Sequence, residues 1–199
     1  MKIAIIKYNA GNIRSVSFAL DRLGVEHSIT ANPDEIKSAD KVIFPGVGEA
    51  SSTMKYLKEN KLDQLIVNLK QPVLGICLGM QLMCSHSEEG DVPCLGIFDE
   101  QVKKFVVPKP NPELIKVPHM GWNTITEVTS KLFDQSLEGE YVYFVHSYYV
   151  ARGEHTAATT PYILPFSSAL HKNNFYATQF HPEKSGDVGS RILENFIKL

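Results

Sequence analysis

The chain has 199 residues, 43% of them hydrophobic, and a formal net charge of -2. That length suits one domain able to bury roughly 70% of its unfolded surface. The near-neutral charge, with no run of like charges, speaks against binding nucleic acid or another polyanion. No apolar run approaches the roughly 20 residues of a membrane span, and Lys7 breaks the N-terminal run too early for a signal peptide. The three cysteines, Cys77, Cys84 and Cys94, form neither a C-x-x-C pair nor an even disulfide set. A reduced, cytoplasmic protein without metal or cofactor, acting on small molecules or proteins, is expected.

Residues 2–6 read as a strand buried on both faces, and Ile13, Val16, Leu20 and Leu23 then recur at helical spacing up to Gly24, a C-terminal stop. The loop between them, Tyr8-Asn9-Ala10-Gly11-Asn12, lies at the carboxyl end of a strand, where open α/β sheets bind ligands; an ordinary βα connection reads the same way. Residues 26–30 form a second strand. Asn32-Pro33-Asp34-Glu35 supplies an N-cap, a proline at the first helical position and a glutamate at the third for a short helix through Ala39. Residues 41–44 are a third strand, running into Pro45-Gly46-Val47-Gly48 ahead of helical segments at 54–59 and 62–69. That turn lacks the G-K-[ST] of a phosphate loop. It is either a tight βα connection or a glycine-opened backbone that brings an N–H, in particular that of Val47, to a reaction centre.

Residues 72–76 are a short apolar run of buried-strand type, and a helical pattern starts directly after Cys77. Gly75-Ile76-Cys77-Leu78-Gly79-Met80-Gln81 therefore reads as a nucleophile elbow, in which the turning residue occupies a sparsely populated conformation at a cost of about 1–3 kcal/mol. Gly75 and Gly79 remove side chains that would clash there, and the N–H of Leu78 is placed to form half of an oxyanion hole. A buried structural cysteine in a βα turn fits the same seven residues. Cys84, two helical turns on, is expected in the core.

Ser87-Glu88-Glu89-Gly90 closes the helical stretch, and residues 95–98 and 101–107 suggest antiparallel strands. Pro108, Pro110 and Pro112 make a rigid surface loop. Val117-Pro118-His119-Met120-Gly121-Trp122-Asn123 reads as loop-like, with Trp122 either core or an exposed anchor for a partner. Residues 141–150 carry the strongest strand signal, and His146 within them fits a satisfied core histidine. Residues 156–160 and 167–170 continue the β pattern, Asn173-Asn174 marks a hairpin, and 175–180 return as a strand that delivers His181-Pro182-Glu183. Residues 186–199 close the chain as a helix with Val188, Ile192, Phe196 and Leu199 on one face. In an extended segment residues two apart share a side, so Glu183 can orient His181, and His181 can take the proton of Cys77.

Gly75-Ile76-Cys77-Leu78-Gly79-Met80-Gln81 together with Gln179-Phe180-His181-Pro182-Glu183-Lys184-Ser185 resembles the class I glutamine amidotransferases, and the resemblance covers nearly the whole chain. It implies an α/β, flavodoxin-like single domain over residues 1–199, with a central mostly parallel sheet flanked by helices and an antiparallel β extension. It also implies that Cys77 attacks the side-chain amide of L-glutamine, that His181 shuttles protons and that Glu183 orients His181. Val47 and Leu78 would donate to the oxyanion. Gly46, Gly48, Gln81, Glu89, Ser147 and Tyr148 would hold the substrate, with Glu89 suited to its α-ammonium and the Ser147-Tyr148 backbone to its α-carboxylate. Gly11-Asn12-Ile13-Arg14-Ser15-Val16, the 118–123 segment and Tyr143-Phe144-Val145-His146-Ser147-Tyr148 look like one branch of the family, glutaminase subunits that pass ammonia to a separate (β/α)8-barrel cyclase in histidine biosynthesis. A heterodimer with Asn12 and Trp122 at its interface is thereby implied. One departure is Lys7-Tyr8-Asn9-Ala10-Gly11-Asn12, where the family usually has Asp-Tyr-Gly-x-Gly-Asn. The alternatives are an amidotransferase subunit serving a different synthase, such as one of sugar modification, and a non-catalytic interaction module that has kept the elbow.

Overall fold

The computed structural model describes residues 1–8, 13–107 and 116–199. The chain begins with β1 (Ile3–Ile6), α1 (Ile13–Arg22), β2 (His27–Thr30), α2 (Pro33–Ser38), β3 (Lys41–Gly46), α3 (Ala50–Glu59), α4 (Leu62–Val67), β4 (Val73–Cys77) and α5 (Leu78–Met83). Mostly β structure follows: β5 (His86–Ser87), β6 (Val92–Pro93), β7 (Gln101–Lys104), β8 (His119–Thr124), β9 (Tyr141–His146), β10 (Tyr148–Val150), β11 (Thr156–Pro161), β12 (Pro165–Lys172) and β13 (Phe175–Thr178). The helix α6 (Gly186–Lys198) ends the fold.

Side chains that alternate along a strand must each find a dry side, and here both sides are dry. Ala4, Ile6, Val42, Phe44 and Val73 pack on one face against Ile36 of α2, Met54 and Leu57 of α3, Leu65 and Ile66 of α4, and Met80 and Leu82 of α5. Ile3, Ile5, Ile43, Leu74 and Ile76 pack on the other against Val16 and Leu20 of α1 and Ile192, Leu193 and Phe196 of α6. The parallel strands run in the order β2-β1-β3-β4-β13, and the sheet continues antiparallel through β12, β10 and β7. β8 and β9 form a separate two-stranded ladder. The expected α/β architecture with an antiparallel extension is what the chain adopts. Local signals hold as well: Asn32 Oδ1 accepts from the N–H of Asp34 at 2.9 Å as the α2 cap, and Asn173, at φ 56°, turns β12 into β13. Among the described residues no helix is long and apolar enough to cross a membrane.

Four expectations change. Residues 95–98 are not a strand, because their N–H groups cap the end of α5 instead: Leu95 donates to the Leu82 carbonyl at 2.9 Å, Gly96 to Cys84 at 2.9 Å, and Phe98 to Met83 at 3.0 Å. The loop-like 119–123 segment is strand, since β9 offers it partners from His119↔His146 through Thr124↔Tyr141. The single strand read over 141–150 breaks at Ser147, so that β9 belongs to the small ladder and β10 to the main sheet. Finally, His181-Pro182-Glu183 is not extended past His181: Pro182–Lys184 forms one 3-10 turn. The Pro108, Pro110 and Pro112 loop lies outside the described residues.

Candidate active site

At the junction of β4 and α5, Cys77 has φ 54° and ψ -110°, a left-handed conformation costing about 1–3 kcal/mol for a residue with a Cβ. The turn is possible because of what stands behind it. A Cβ on Gly79 would run into the Phe44 carbonyl oxygen of β3, and one on Gly75 would come within 2.8 Å of Met83 Sδ. With those contacts empty, α5 begins directly at the strand end and Cys77 is left 7% exposed.

The base arrives from β13, the neighbour of β4 on the side away from β3. His181 Nδ1 bonds Glu183 Oε1 at 2.7 Å within the 3-10 turn, and both side chains are buried. Ser185 holds this turn in place: its hydroxyl donates to the His181 carbonyl at 2.6 Å and accepts from the Tyr143 N–H at 3.0 Å. His181 Nε2 is buried and makes no hydrogen bond among the described residues, which leaves it free to serve the neighbouring Cys77. Burial alone would lower the basicity of this imidazole; interactions with Cys77 and then with Glu183 outweigh it and lift the pKa to about 10. Such a ring holds its proton through the neutral range, as an imidazolium facing Cys77.

A cavity of about 330 Å3 opens over the sulfur, lined by Val47, Gly48, Cys77, Leu78, Gln81, Glu89, Pro118, Val145, His146, Ser147 and Tyr148. Eight of these residues were expected from the sequence and resemblance as site or oxyanion residues. Gly46, also expected there, is buried behind the cavity: it pairs with Cys77 across β3 and β4, and a Cβ on it would strike the Tyr8 hydroxyl. Glu89 is half-buried; burial raises its pKa, while Oε2 accepts the Ala50 N–H at 2.9 Å. Trp122 is 55% exposed on the outer ladder and does not line the cavity, and Asn12 falls outside the described residues. A larger hollow of about 600 Å3 beside α2 and α4 is lined by lysines, amides and apolar side chains, with no cysteine, histidine or carboxylate among them.

Sequence reasoning gave no role to Pro118, Val145, Gln179 or Ser185, and read His146 as core. Gln179 is fully buried and donates to Cys77 Sγ at 3.7 Å while accepting from Gln81 Nε2 at 2.9 Å. Its position just ahead of His181 on the returning strand was the available signal. His146 does bond His119, Nε2 to Nδ1, at 2.9 Å, as a satisfied buried ring should, yet it also faces the cavity. Burial depresses both rings, His119 to about 4 and His146 to about 3. Between pH 6.5 and those values the unfolded chain binds protons that the folded chain refuses. Stability from these rings is therefore complete above about pH 6.5 and falls as pH drops, by up to about 1.4 kcal/mol per pH unit for His146. Urea unfolding at pH 7.5 and 5.5 reads this directly, and a His146→Gln variant should show a shallower loss; equal slopes would contradict it.

A strained cysteine at a βα elbow, a buried His–Glu pair on the adjacent strand and a small cavity between them define a cysteine amidotransferase of the class-I type. Residues 4–199 match the family described as "Glutamine amidotransferase class-I", and the chain belongs to that family. Over all 199 residues, and over the whole of the relative, it is 66% identical to the "Imidazole glycerol phosphate synthase subunit HisH" of Bacteroides thetaiotaomicron. The HisH subunit of Haemophilus influenzae strain Rd is 47% identical, with 100% of this chain and 98% of the relative covered, so within the class the chain belongs with the HisH subunits. Among solved structures, a glutamine amidotransferase superposes with a TM-score of 0.73 at 20% identity, covering 98% and 97% of the two chains. PurLQS from Thermotoga maritima does so at 0.70 and 14% identity, covering 99% and 97%; both show the shared fold.

Proposed function

We propose that this chain is the glutaminase subunit of imidazole glycerol phosphate synthase, supplying ammonia from L-glutamine to a separate cyclase. The observation that carries the reading is the buried Cys77, His181 and Glu183 arrangement under a cavity of glutamine size. The Cys77 thiolate attacks the side-chain amide carbon, and the carbonyl oxygen takes the negative charge beside the Val47 and Leu78 N–H groups. One such donor is commonly worth about 3 kcal/mol in the transition state. The His181 imidazolium gives its proton to the departing nitrogen, ammonia leaves, and a thioester remains. Water then attacks the thioester, His181 takes the water's proton, and glutamate and thiolate are released.

Glu89 supports the α-ammonium and the Ser147-Tyr148 backbone the α-carboxylate, with Gly48 leaving the entrance open. Gln81 acts differently from a plain substrate contact: both protons of its amide are used inside the protein, on Tyr148 O at 3.0 Å and Gln179 Oε1 at 2.9 Å, so its carbonyl oxygen alone is left to bond a ligand. For the partner, a (β/α)8-barrel cyclase, the outer ladder face is the proposed contact, with Met120 66%, Trp122 55% and Tyr141 58% exposed beside one another. Asn12 is proposed as a further contact for the partner. The heterodimer would act in the cytoplasm in histidine biosynthesis, with this chain as a single domain over residues 1–199 and without a cofactor.

A glutamine-analogue electrophile tests the site. Burial pushes the Cys84 thiol up and the Cys94 thiol up to about 11, so both are poor nucleophiles at neutral pH. Cys77 should be labelled at least about a hundredfold faster than either. Comparable labelling of the three would sink the proposal. Titrating in the barrel cyclase tests the partner: a one-to-one complex is expected in sedimentation, and no association overturns that half.

A further inference from the structure

The Tyr148 carbonyl, in the cavity wall where β9 gives way to β10, accepts two hydrogen bonds, from Gln81 Nε2 at 3.0 Å and His146 Nδ1 at 2.7 Å. A carbonyl only accepts, so the proton of His146 sits on Nδ1 and its Nε2 is a lone pair. The group 2.9 Å from that lone pair is His119 Nδ1, which must donate. His119 Nε2 is then a lone pair in turn, and Asn123 Nδ2 approaches it at 3.3 Å. Asn123 cannot be turned around, because Nδ2 also donates to the Pro161 carbonyl at 2.8 Å while its Oδ1 accepts the Thr124 N–H at 2.8 Å. On the far side of Tyr148, Gln81 spends its second proton on Gln179 Oε1, which directs Gln179 Nε2 at Cys77 Sγ at 3.7 Å. Every donor and acceptor along this path is fixed by the one before it.

We propose that His119 and Gln179 are positioning residues at the two ends of one buried hydrogen-bond relay, Asn123–His119–His146–Tyr148–Gln81–Gln179–Cys77, which sets both the substrate wall and the sulfur. Packing alone does not require this chemistry. His119 lies stacked on Tyr162 at 3.9 Å and Phe144 at 4.7 Å between ring centroids, a slot that a phenylalanine would fill. The relay starts on β8, whose opposite face carries the exposed Met120 and Trp122, and it ends at the nucleophile. A shift of that ladder therefore has a hydrogen-bonded route to the site. That the wall binds glutamine rests on the function proposed above.

The first test does not need turnover. Long-range 1H–15N spectra of the full chain at pH 7 should show both His119 and His146 as neutral rings carrying the proton on Nδ1. An Nε2–H tautomer or an imidazolium at either ring overturns the relay. The second test uses His119→Phe and His119→Asn, the latter keeping a donor at the Nδ1 position. Loss of one such bond should raise the glutamine KM of the cyclase complex about tenfold for His119→Phe with a smaller change in kcat, and His119→Asn should recover most of it. Equal behaviour of the two variants would reduce His119 to packing. Gln179→Leu should slow iodoacetamide alkylation of Cys77 about tenfold and move its pH midpoint upward; an unchanged profile removes Gln179 from the relay. If wild-type protein released no ammonia, the functional reading would fail while the tautomers and the alkylation profile still decided the relay.

Discussion

Cys77→Ala is expected to lower glutamine-dependent ammonia release by about ten-thousandfold or more, because no other group near the cavity can form the thioester. Cys84 is fully buried and Cys94 does not line the cavity, so neither can stand in. The fold should survive. Alanine keeps a Cβ at φ 54°, so the backbone strain is the same, and what is lost is one sulfur in a site already 7% exposed. The variant also carries a second, independent readout: the interaction with Cys77 is the largest of the influences that raise the basicity of His181, so removing the sulfur should bring that imidazole down from about 10. Ammonia release by the purified variant with its cyclase, a thermal melt and a histidine titration by NMR check all three. Turnover within about tenfold of wild type would overturn the assignment of the nucleophile.

Gly79→Ala is expected to be strongly destabilising. Its Cβ would be driven into the Phe44 carbonyl oxygen, and that carbonyl cannot retreat because β3 is held in register with β1 and β4 on its two sides. Backbone against backbone has no flexible end to give way, so a loss of about 3 kcal/mol or more is expected. In a chain of this size that corresponds to a fall in Tm of about 10 °C. Gly24→Ala is the control: it also has positive φ, at +67°, but a Cβ there meets nothing within 4 Å, so only the conformational cost of about 1 kcal/mol remains. A Gly79→Ala protein that melts within two degrees or so of Gly24→Ala would show that the strand and helix can separate at the elbow.

These two outcomes belong to different links of the same chain of causes. The strain at Cys77 is tolerated because two glycines let α5 sit against β3, and the chemistry follows because β13 then brings a buried imidazole to the sulfur. Stability and activity thus meet in the same few residues. Weakening the packing behind the elbow should move Leu78 as well as unfold the domain, so activity of Gly79→Ala below its melting temperature reads the geometry of the oxyanion side.

The sequence by itself determined what is set by near neighbours. Continuous apolar runs gave the parallel strands, the Asn32-Pro33 cap gave α2, and the glycine-flanked cysteine gave the elbow, since each depends on a few residues of backbone sterics and local hydrogen bonds. His181 and Glu183 were also legible as a pair, although a 3-10 turn rather than an extended segment brings them together. Tertiary structure decided the rest, because the deciding partners are far away in the chain. Residues 119–124 become a strand only because β9 supplies the missing hydrogen bonds, and residues 95–98 remain irregular because the carbonyls at the end of α5 take their N–H groups. Gln179 reaches Cys77 across 102 positions, and His119 reaches His146 across 27. Buried polar groups must find partners wherever the fold places them, and no local pattern records which partner that will be.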